Sequence, residues 1–131
     1  MKFNSLIPEL SVSNLEQSKQ FYLDLLGFQL EYERIPDKFA FLSLGEGQIM
    51  IEEINGYWET DNLSYPLGRG INFQITVSNL NEIHARLKHH HVPLFRDLFE
   101  SRYECNGEIL IEQEFLVQDP DGYLLRFSQT I

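Results

Sequence analysis

The amino-acid sequence predicts an α+β protein made of two tandem βαβββ modules. The tetrapeptide Val-Ser-Asn-Leu occurs twice, at residues 12–15 and 77–80, so the copies start 65 residues apart (77 minus 12) in a chain of 131. Each copy ends a run of alternating apolar residues and begins a stretch with helical spacing, which is the pattern of a strand followed by a helix. Because this pattern recurs at about half the chain length, we expect one supersecondary unit used twice, with a pseudo-symmetric site between the halves.

The first module is predicted to cover residues 1–55. Leu6–Val12 alternates as a strand, Asn14 is a good helix N-cap, and Gly27 is a good stop for the helix that follows. Gly45–Gly47 is predicted to make a tight turn between the last two strands of the module. The three strands after the helix are predicted at Phe28–Arg34, Ala40–Leu44 and Gln48–Ile54.

The second module is predicted to cover residues 71–131, after a connector at residues 56–70. Ile71–Val77 alternates, Asn79 caps a second helix, and Pro93 cannot continue that helix. Asp119–Gly122 is a strong turn signal, because proline fixes φ and glycine supplies a positive φ. The remaining strands are predicted near Leu94–Arg96, at Ile109–Gln118 and at Tyr123–Ser128.

Length and composition indicate a single domain over residues 1–131. The hydrophobic content of 43% is normal for a globular protein, and no apolar run approaches the roughly 20 residues needed to span a bilayer. The N-terminal residues lack the apolar core of a signal peptide. The only cysteine, Cys105, excludes an internal disulfide. We therefore expect a cytoplasmic protein without a membrane partner.

The formal net charge of −10 argues against a nucleic-acid partner, since phosphate binding needs clustered Lys and Arg. An acidic surface favours a cationic ligand, although the same charge also serves solubility alone. The run His89–His91 is not expected to bind a metal, because adjacent helical residues point about 100° apart. Cys105 has no histidine nearby in sequence to activate it, and no P-loop, nucleophile elbow or His-Glu-x-x-His motif is present.

Two motifs carry a resemblance to a known family. The first is the strand that ends in Val-Ser-Asn-Leu, followed by Phe21-Tyr22 in the helix and by Leu26-Gly27-Phe28; the second is the turn Asp119-Pro120-Asp121-Gly122-Tyr123. Together they resemble the vicinal oxygen chelate superfamily, which includes glyoxalase I, extradiol dioxygenases and bleomycin resistance proteins. The resemblance implies curved mixed sheets that form a cleft, helices on the outer faces, and a homodimer.

The resemblance also implies four positions at which the enzymes of that superfamily carry metal ligands. In this sequence they fall on Ile7, Ile51, Asn72 and Arg126. Aliphatic side chains offer no donor atom, and a guanidinium has no acceptor and repels a cation. We therefore expect no metal, no cofactor and no catalytic residue.

An alternative stays open if this alignment is shifted by one or two residues. Glu9 and Gln74 occupy matching positions of the repeat, and Glu52 or Glu53 lies close to the fourth position, which gives a candidate set of Glu9, Gln74 and Glu53. Such a set of oxygen donors would suit a hard cation and a metal-dependent lyase, isomerase or dioxygenase. If the metal is absent, Arg126 is expected to pair with one of these carboxylates.

Without a metal, the nearest resemblance is to the bleomycin resistance branch, which implies sequestration of a cationic, aromatic small molecule without chemistry. Tyr103 lies in the segment from Phe99 to Ile111, which resembles a loop whose aromatic residue stacks on the drug. A cleft with aromatic faces and net negative charge suits such a compound. The candidate ligand-binding residues are Glu9, Phe39, Phe41, Glu53, Trp58, Asn72, Gln74, Tyr103 and Arg126.

Overall fold

The computed structural model describes residues 1–131. The chain divides into two compact units, Met1–Leu67 and Gly68–Ile131. Each unit contains one mixed four-stranded sheet, and the elements follow the order strand, helix, three strands in both. The predicted α+β class with two βαβββ modules is therefore confirmed.

In the first unit the strands lie in the order β1-β4-β3-β2, with β1 parallel to β4 and the other pairs antiparallel. The Asn14 side chain accepts a hydrogen bond from the backbone of Gln17 at 2.9 Å and so caps the helix. The helix continues for six residues, Gln20–Leu25, as a π-helix. The elements are β1 Glu9–Val12, α1 Leu15–Lys19, β2 Gln29–Arg34, β3 Phe39–Leu44 and β4 Gly47–Glu53, with a 3₁₀ turn at Ile35–Asp37 between β2 and β3.

One face of the first sheet packs into the core of the unit. Strand alternation puts Leu10, Leu42 and Ile51 on this face, and all three are buried together with Tyr22 and Leu26 of the helical segment. We call this the helix-side face, and we call the other face of each sheet the helix-free face. The side chains on the helix-free face of the first sheet include those of Glu9, Tyr32, Phe39, Phe41, Met50 and Glu52.

In the second unit the strands lie in the order β5-β8-β7-β6, and β5 is parallel to β8. The helix buries Leu80, Ile83 and Leu87, and the rings of Phe115 and Phe127 stack on the helix-side face with centroids 5.3 Å apart. The elements are β5 Asn72–Thr76, α2 Leu80–His89, β6 Arg96–Cys105, β7 Glu108–Gln118 and β8 Leu124–Thr130.

The segment from Phe99 to Ile111 differs from the prediction. It is not a loop: β6 and β7 pair as a long antiparallel hairpin. Asn106 and Gly107 form its turn with φ of 52° and 85°, and Asn-Gly with two positive φ values is the favoured two-residue hairpin turn. Tyr103 therefore lies on a strand, with its side chain fixed on one face of a sheet.

The predicted connector, residues 56–70, contains mostly exposed residues, and the boundary between the two compact units falls inside it. None of the helices in the chain is long and apolar enough to cross a bilayer.

Candidate functional site

The helix-free face of the second sheet carries a cluster of polar side chains. Strand register brings them together, since Gln74 lies opposite Arg126, Glu114 opposite Ser128, and Glu112 opposite Thr130. Tyr103 reaches the same group from β6. We call this set the Arg126 cluster: Gln74, Tyr103, Glu112, Glu114, Arg126, Ser128 and Thr130.

Arg126 is the centre of this cluster. Its Nη2 donates a hydrogen bond to Gln74 Oε1 at 2.9 Å, and its Nη1 donates to the Tyr103 hydroxyl at 3.3 Å. The same Nη1 lies 3.9 Å from Glu114 Oε1. The expectation that Arg126 pairs with Glu9 or Glu53 was wrong: its carboxylate partner is Glu114.

Two carboxylates of this cluster are buried, and one of them, Glu114, lies beside the guanidinium. Glu114 accepts hydrogen bonds from the Tyr103 hydroxyl at 2.9 and 3.1 Å. Glu112 accepts them from Ser128 Oγ at 2.9 Å and Thr130 Oγ1 at 3.0 Å. Buried charges are tolerated when they are paired and hydrogen-bonded. With two carboxylates to one guanidinium, the cluster as a whole is acidic.

Sequence reasoning missed Glu112 and Glu114, although a signal was present. Glu112 and Glu114 are two residues apart within the predicted strand Ile109–Gln118, and the two-residue period of a strand puts both on one face. Asn72, a predicted site residue, lies on the same face of β5 as Gln74 and is exposed.

In the first unit the structure corrects two predicted positions. Ile51 is fully buried on the helix-side face, so the residue of β4 on the same face as Glu9 is Met50, its neighbour in the parallel register. Glu53 also points to the helix side. Glu52 is the carboxylate on the face of Glu9, and the pKa of Glu9 is raised by burial and by the nearby charge of Glu52.

Glu53 stabilises the start of α1 in this unit. Its Oε2 accepts a hydrogen bond from the backbone N–H of Leu15, the first residue of α1, at 3.0 Å, and its Oε1 pairs with Lys38 Nζ at 3.2 Å. These contacts lower the pKa of Glu53. Because its carboxylate faces away from Glu9, the alternative set of Glu9, Gln74 and Glu53 was wrong in its third member.

Phe39 and Phe41, the two phenylalanines predicted to bind a ligand, lie on the helix-free face, but each is only 1% exposed. Tyr32 stacks on Phe41 with centroids 5.3 Å apart, and Phe3 meets the same ring edge-on at 5.3 Å. The guanidinium of Arg34 lies 3.8 Å from the centroid of Phe39. Both rings are therefore engaged by neighbours of their own unit.

Trp58 and Glu53 come together in a separate pocket of the first unit. The pocket has a volume of about 640 Å³, and volumes of roughly 300–1,000 Å³ are usual for small-molecule sites. It is lined by residues of the β2–β3 turn, the end of β4 and the segment after it: Arg34, Pro36, Asp37, Lys38, Glu52, Glu53, Ile54, Asn55, Tyr57 and Trp58.

Two βαβββ units, each with aromatic and polar side chains on a helix-free sheet face, define a small α+β protein built from one module used twice. The chain belongs to the Glyoxalase/Bleomycin resistance protein/Dioxygenase superfamily, whose family model matches residues 3–127. The predicted resemblance is thus confirmed at the level of the superfamily.

Several individual proteins are similar to this chain. A bleomycin resistance protein of Geobacillus stearothermophilus is 28% identical over 134 aligned positions, which cover 95% of this chain and 96% of that protein. A lactoylglutathione lyase of Neisseria meningitidis is 29% identical and covers 92% of this chain and 86% of its own. The crystal structure of a glyoxalase/bleomycin resistance protein/dioxygenase from Alicyclobacillus acidocaldarius superposes with a TM-score of 0.67 at 24% identity, covering 98% and 92% of the two chains, and shows the same fold.

The four positions that the superfamily implies for a metal do not fit one. With the register corrected they hold Ile7, Met50, Asn72 and Arg126. An aliphatic chain, a thioether, an amide and a guanidinium are a poor donor set for a divalent cation, and the guanidinium repels it. No group of three or more His, Cys, Asp or Glu side chains in the chain is arranged to hold a metal ion.

Proposed function

We propose that this protein binds a small cationic, aromatic compound and sequesters it without a metal and without chemistry, in the manner implied by its resemblance to bleomycin resistance proteins. The observation that carries the proposal is Arg126. It occupies the β8 position at which the resemblance implies a metal ligand, and its side chain is held by Gln74, Tyr103 and Glu114. The Arg126 side chain, held by these contacts, stabilises a binding surface. It has no lone pair with which to hold a metal ion that would activate a substrate.

The surroundings of Arg126 suit a ligand of this chemistry. Glu112 and Glu114 make the helix-free face of the second sheet acidic, and the Tyr103 side chain remains 38% exposed on that face. A carboxylate attracts a cationic group, and an aromatic ring stacks on a flat heteroaromatic one. The net charge of −10 adds a long-range attraction for cations. In this proposal the protein acts as a homodimer, with the compound in a cleft at the dimer interface.

The test is a calorimetric titration of chelator-treated protein with metal-free bleomycin. We expect saturable binding, weakened about tenfold by Tyr103→Ala, since an aromatic contact is worth roughly 0.5–1.5 kcal/mol beyond its buried area. Tyr65→Ala, which removes an exposed aromatic of the connector, serves as the matched control.

A parallel titration with Zn²⁺, Ni²⁺, Mn²⁺ and Fe²⁺ tests the alternative function, a metal-dependent lyase, isomerase or dioxygenase. The similarity to lactoylglutathione lyase is the reason to test it. Tight, stoichiometric metal binding that Glu9→Gln abolishes would overturn the sequestration proposal. So would the absence of saturable heat with bleomycin.

A further inference from the structure

Two aromatic side chains stand exposed next to each other after β4. Tyr57 is 78% exposed and Trp58 is 59% exposed, and their ring centroids lie 5.5 Å apart at 48°. Burial of a large aromatic ring is strongly favourable. Two adjacent rings at the mouth of a pocket therefore offer apolar surface to a ligand.

The segment that carries these rings is held in place by its own side chains. The Glu59 carboxylate accepts hydrogen bonds from the backbone N–H groups of Gly56 and Trp58, both at 3.0 Å, which lowers the pKa of Glu59. Asn55 Oδ1 accepts a hydrogen bond from the Tyr57 N–H at 2.9 Å. A segment ordered before binding loses less entropy when a ligand arrives.

The charges that line the pocket are paired with one exception. Arg34 pairs with Asp37 at 3.0 Å, and Lys38 pairs with Glu53 at 3.2 Å. Glu52 has no cation within salt-bridge distance and accepts a hydrogen bond only from the neutral amide of Asn55. The pocket therefore has one carboxylate left for a positive group.

We propose that this pocket is a binding site for a planar aromatic cation. The ring of the ligand packs against Tyr57 and Trp58, and its positive group lies beside Glu52. Every residue of the site belongs to the first unit, whereas the Arg126 cluster belongs to the second. The proposal holds whether or not the protein sequesters bleomycin.

Trp58 is the sole tryptophan of the chain, so the intrinsic tryptophan fluorescence of the protein reports on this pocket alone. The probe is the N-methylquinolinium ion, and naphthalene-2-sulfonate is an anion with the same two-ring size. We expect the cation to change the fluorescence along a saturable curve and to bind at least about tenfold more tightly than the anion, since ring contact and charge act together.

Variants separate the contribution of the charge from that of the ring contact. Glu52→Gln is expected to weaken binding of the cation about tenfold and to leave the binding of neutral quinoline unchanged. Tyr57→Ala is expected to weaken the binding of both the cation and neutral quinoline. Glu46→Gln is the charge control, since Glu46 is exposed in the β3–β4 turn away from the pocket, and it should bind the cation like the unchanged protein.

Circular dichroism and the thermal midpoint verify that each variant is folded, and calorimetry with Trp58→Ala gives a readout without fluorescence. Linear quenching equal to that of N-acetyltryptophanamide would overturn the proposal, because it indicates collision without binding. Equal affinity for the cation and the anion, or unchanged binding in Glu52→Gln, would overturn it as well.

Discussion

Glu53 and Gln129 cap the helices of their respective units in the same way. Glu53 Oε2 accepts a hydrogen bond from the backbone N–H of Leu15 at 3.0 Å, and Gln129 Oε1 accepts one from Leu80 at 3.0 Å. Leu15 and Leu80 are the last residues of the two Val-Ser-Asn-Leu copies. The last strand of each unit thus supplies an acceptor to the first turn of its helix, as a carboxylate in one unit and as an amide in the other.

The charge of Glu53 makes the first cap dependent on pH. Because the folded-state pKa lies below its ordinary value, the stabilisation is complete above the unfolded pKa, about 4.3, and is lost as the pH falls through the folded pKa. In Glu53→Gln the acceptor for Leu15 is retained and the charge is removed. We expect this variant to be less stable than the unchanged protein at pH 7, with a difference that shrinks below about pH 4.

Urea unfolding at pH 7, 4 and 3 measures that difference. Glu46→Gln, at an exposed residue, is the control and should show no such trend. A difference between Glu53→Gln and the unchanged protein that stays constant over this range would contradict the assignment.

Removal of the Tyr103 hydroxyl takes away the donor that both oxygens of buried Glu114 share. Tyr103→Phe is expected to lower the free energy of unfolding by about 1–3 kcal/mol, because a buried acceptor is left with less solvation. Tyr57→Phe, on an exposed ring, should be close to neutral. A double-mutant cycle with Glu114→Gln measures the coupling, and a coupling of zero would show that the hydroxyl and the carboxylate do not interact.

Met50 of the first unit is the residue equivalent to Arg126 of the second unit. The variant Arg126→Met therefore gives both positions the same side chain. We expect a loss of about 2 kcal/mol in the free energy of unfolding, since Glu114 would remain buried without a cation nearby. Arg102→Met, at an exposed residue of β6, is the matched control. If chemical denaturation gives equal losses for the two variants, the interaction between Arg126 and Glu114 contributes nothing measurable.

Two glycines with positive φ should respond differently to alanine. At Gly107 a Cβ atom would meet nothing within 4 Å, so Gly107→Ala costs only backbone strain, about 1 kcal/mol. At Gly68 a Cβ atom would lie 2.6 Å from the ring of Tyr123, and Gly68→Ala is expected to cost clearly more. Thermal unfolding ranks the two variants, and the reverse order would contradict these contacts.

The order of elements could be predicted from the sequence because its signals are local. Asn14 caps its helix as expected. Gly27, the predicted helix stop, has a φ of 87°. The alternating strand in front of each Val-Ser-Asn-Leu is a strand in the structure. Such features depend on a few neighbouring residues, and the chain need not be folded for them to be recognised.

The candidate site was harder to predict because it depends on strand register. Equivalent residues of the first strands, Glu9 and Gln74, are 65 apart, whereas those of the last strands, Met50 and Arg126, are 76 apart. The strands of the β6–β7 hairpin are longer than those of β2 and β3, which changes the spacing. An error of one residue turns a side chain to the other face of a sheet, and this is the difference between the predicted residue, Ile51, and Met50, which lies opposite Glu9. The Asn106-Gly107 pair is the one local signal in the sequence for this longer hairpin.

The only cysteine of the chain lies at the end of β6 in the second unit. Cys105 precedes the Asn106-Gly107 turn and is exposed as a free thiol, while the only tryptophan, Trp58, is exposed in the first unit. A dye attached to the thiol would report on the second unit, and the indole reports on the first. The sequence therefore contains one intrinsic fluorophore and one labelling site in different units, and the response of each unit to a ligand can be followed without a single substitution.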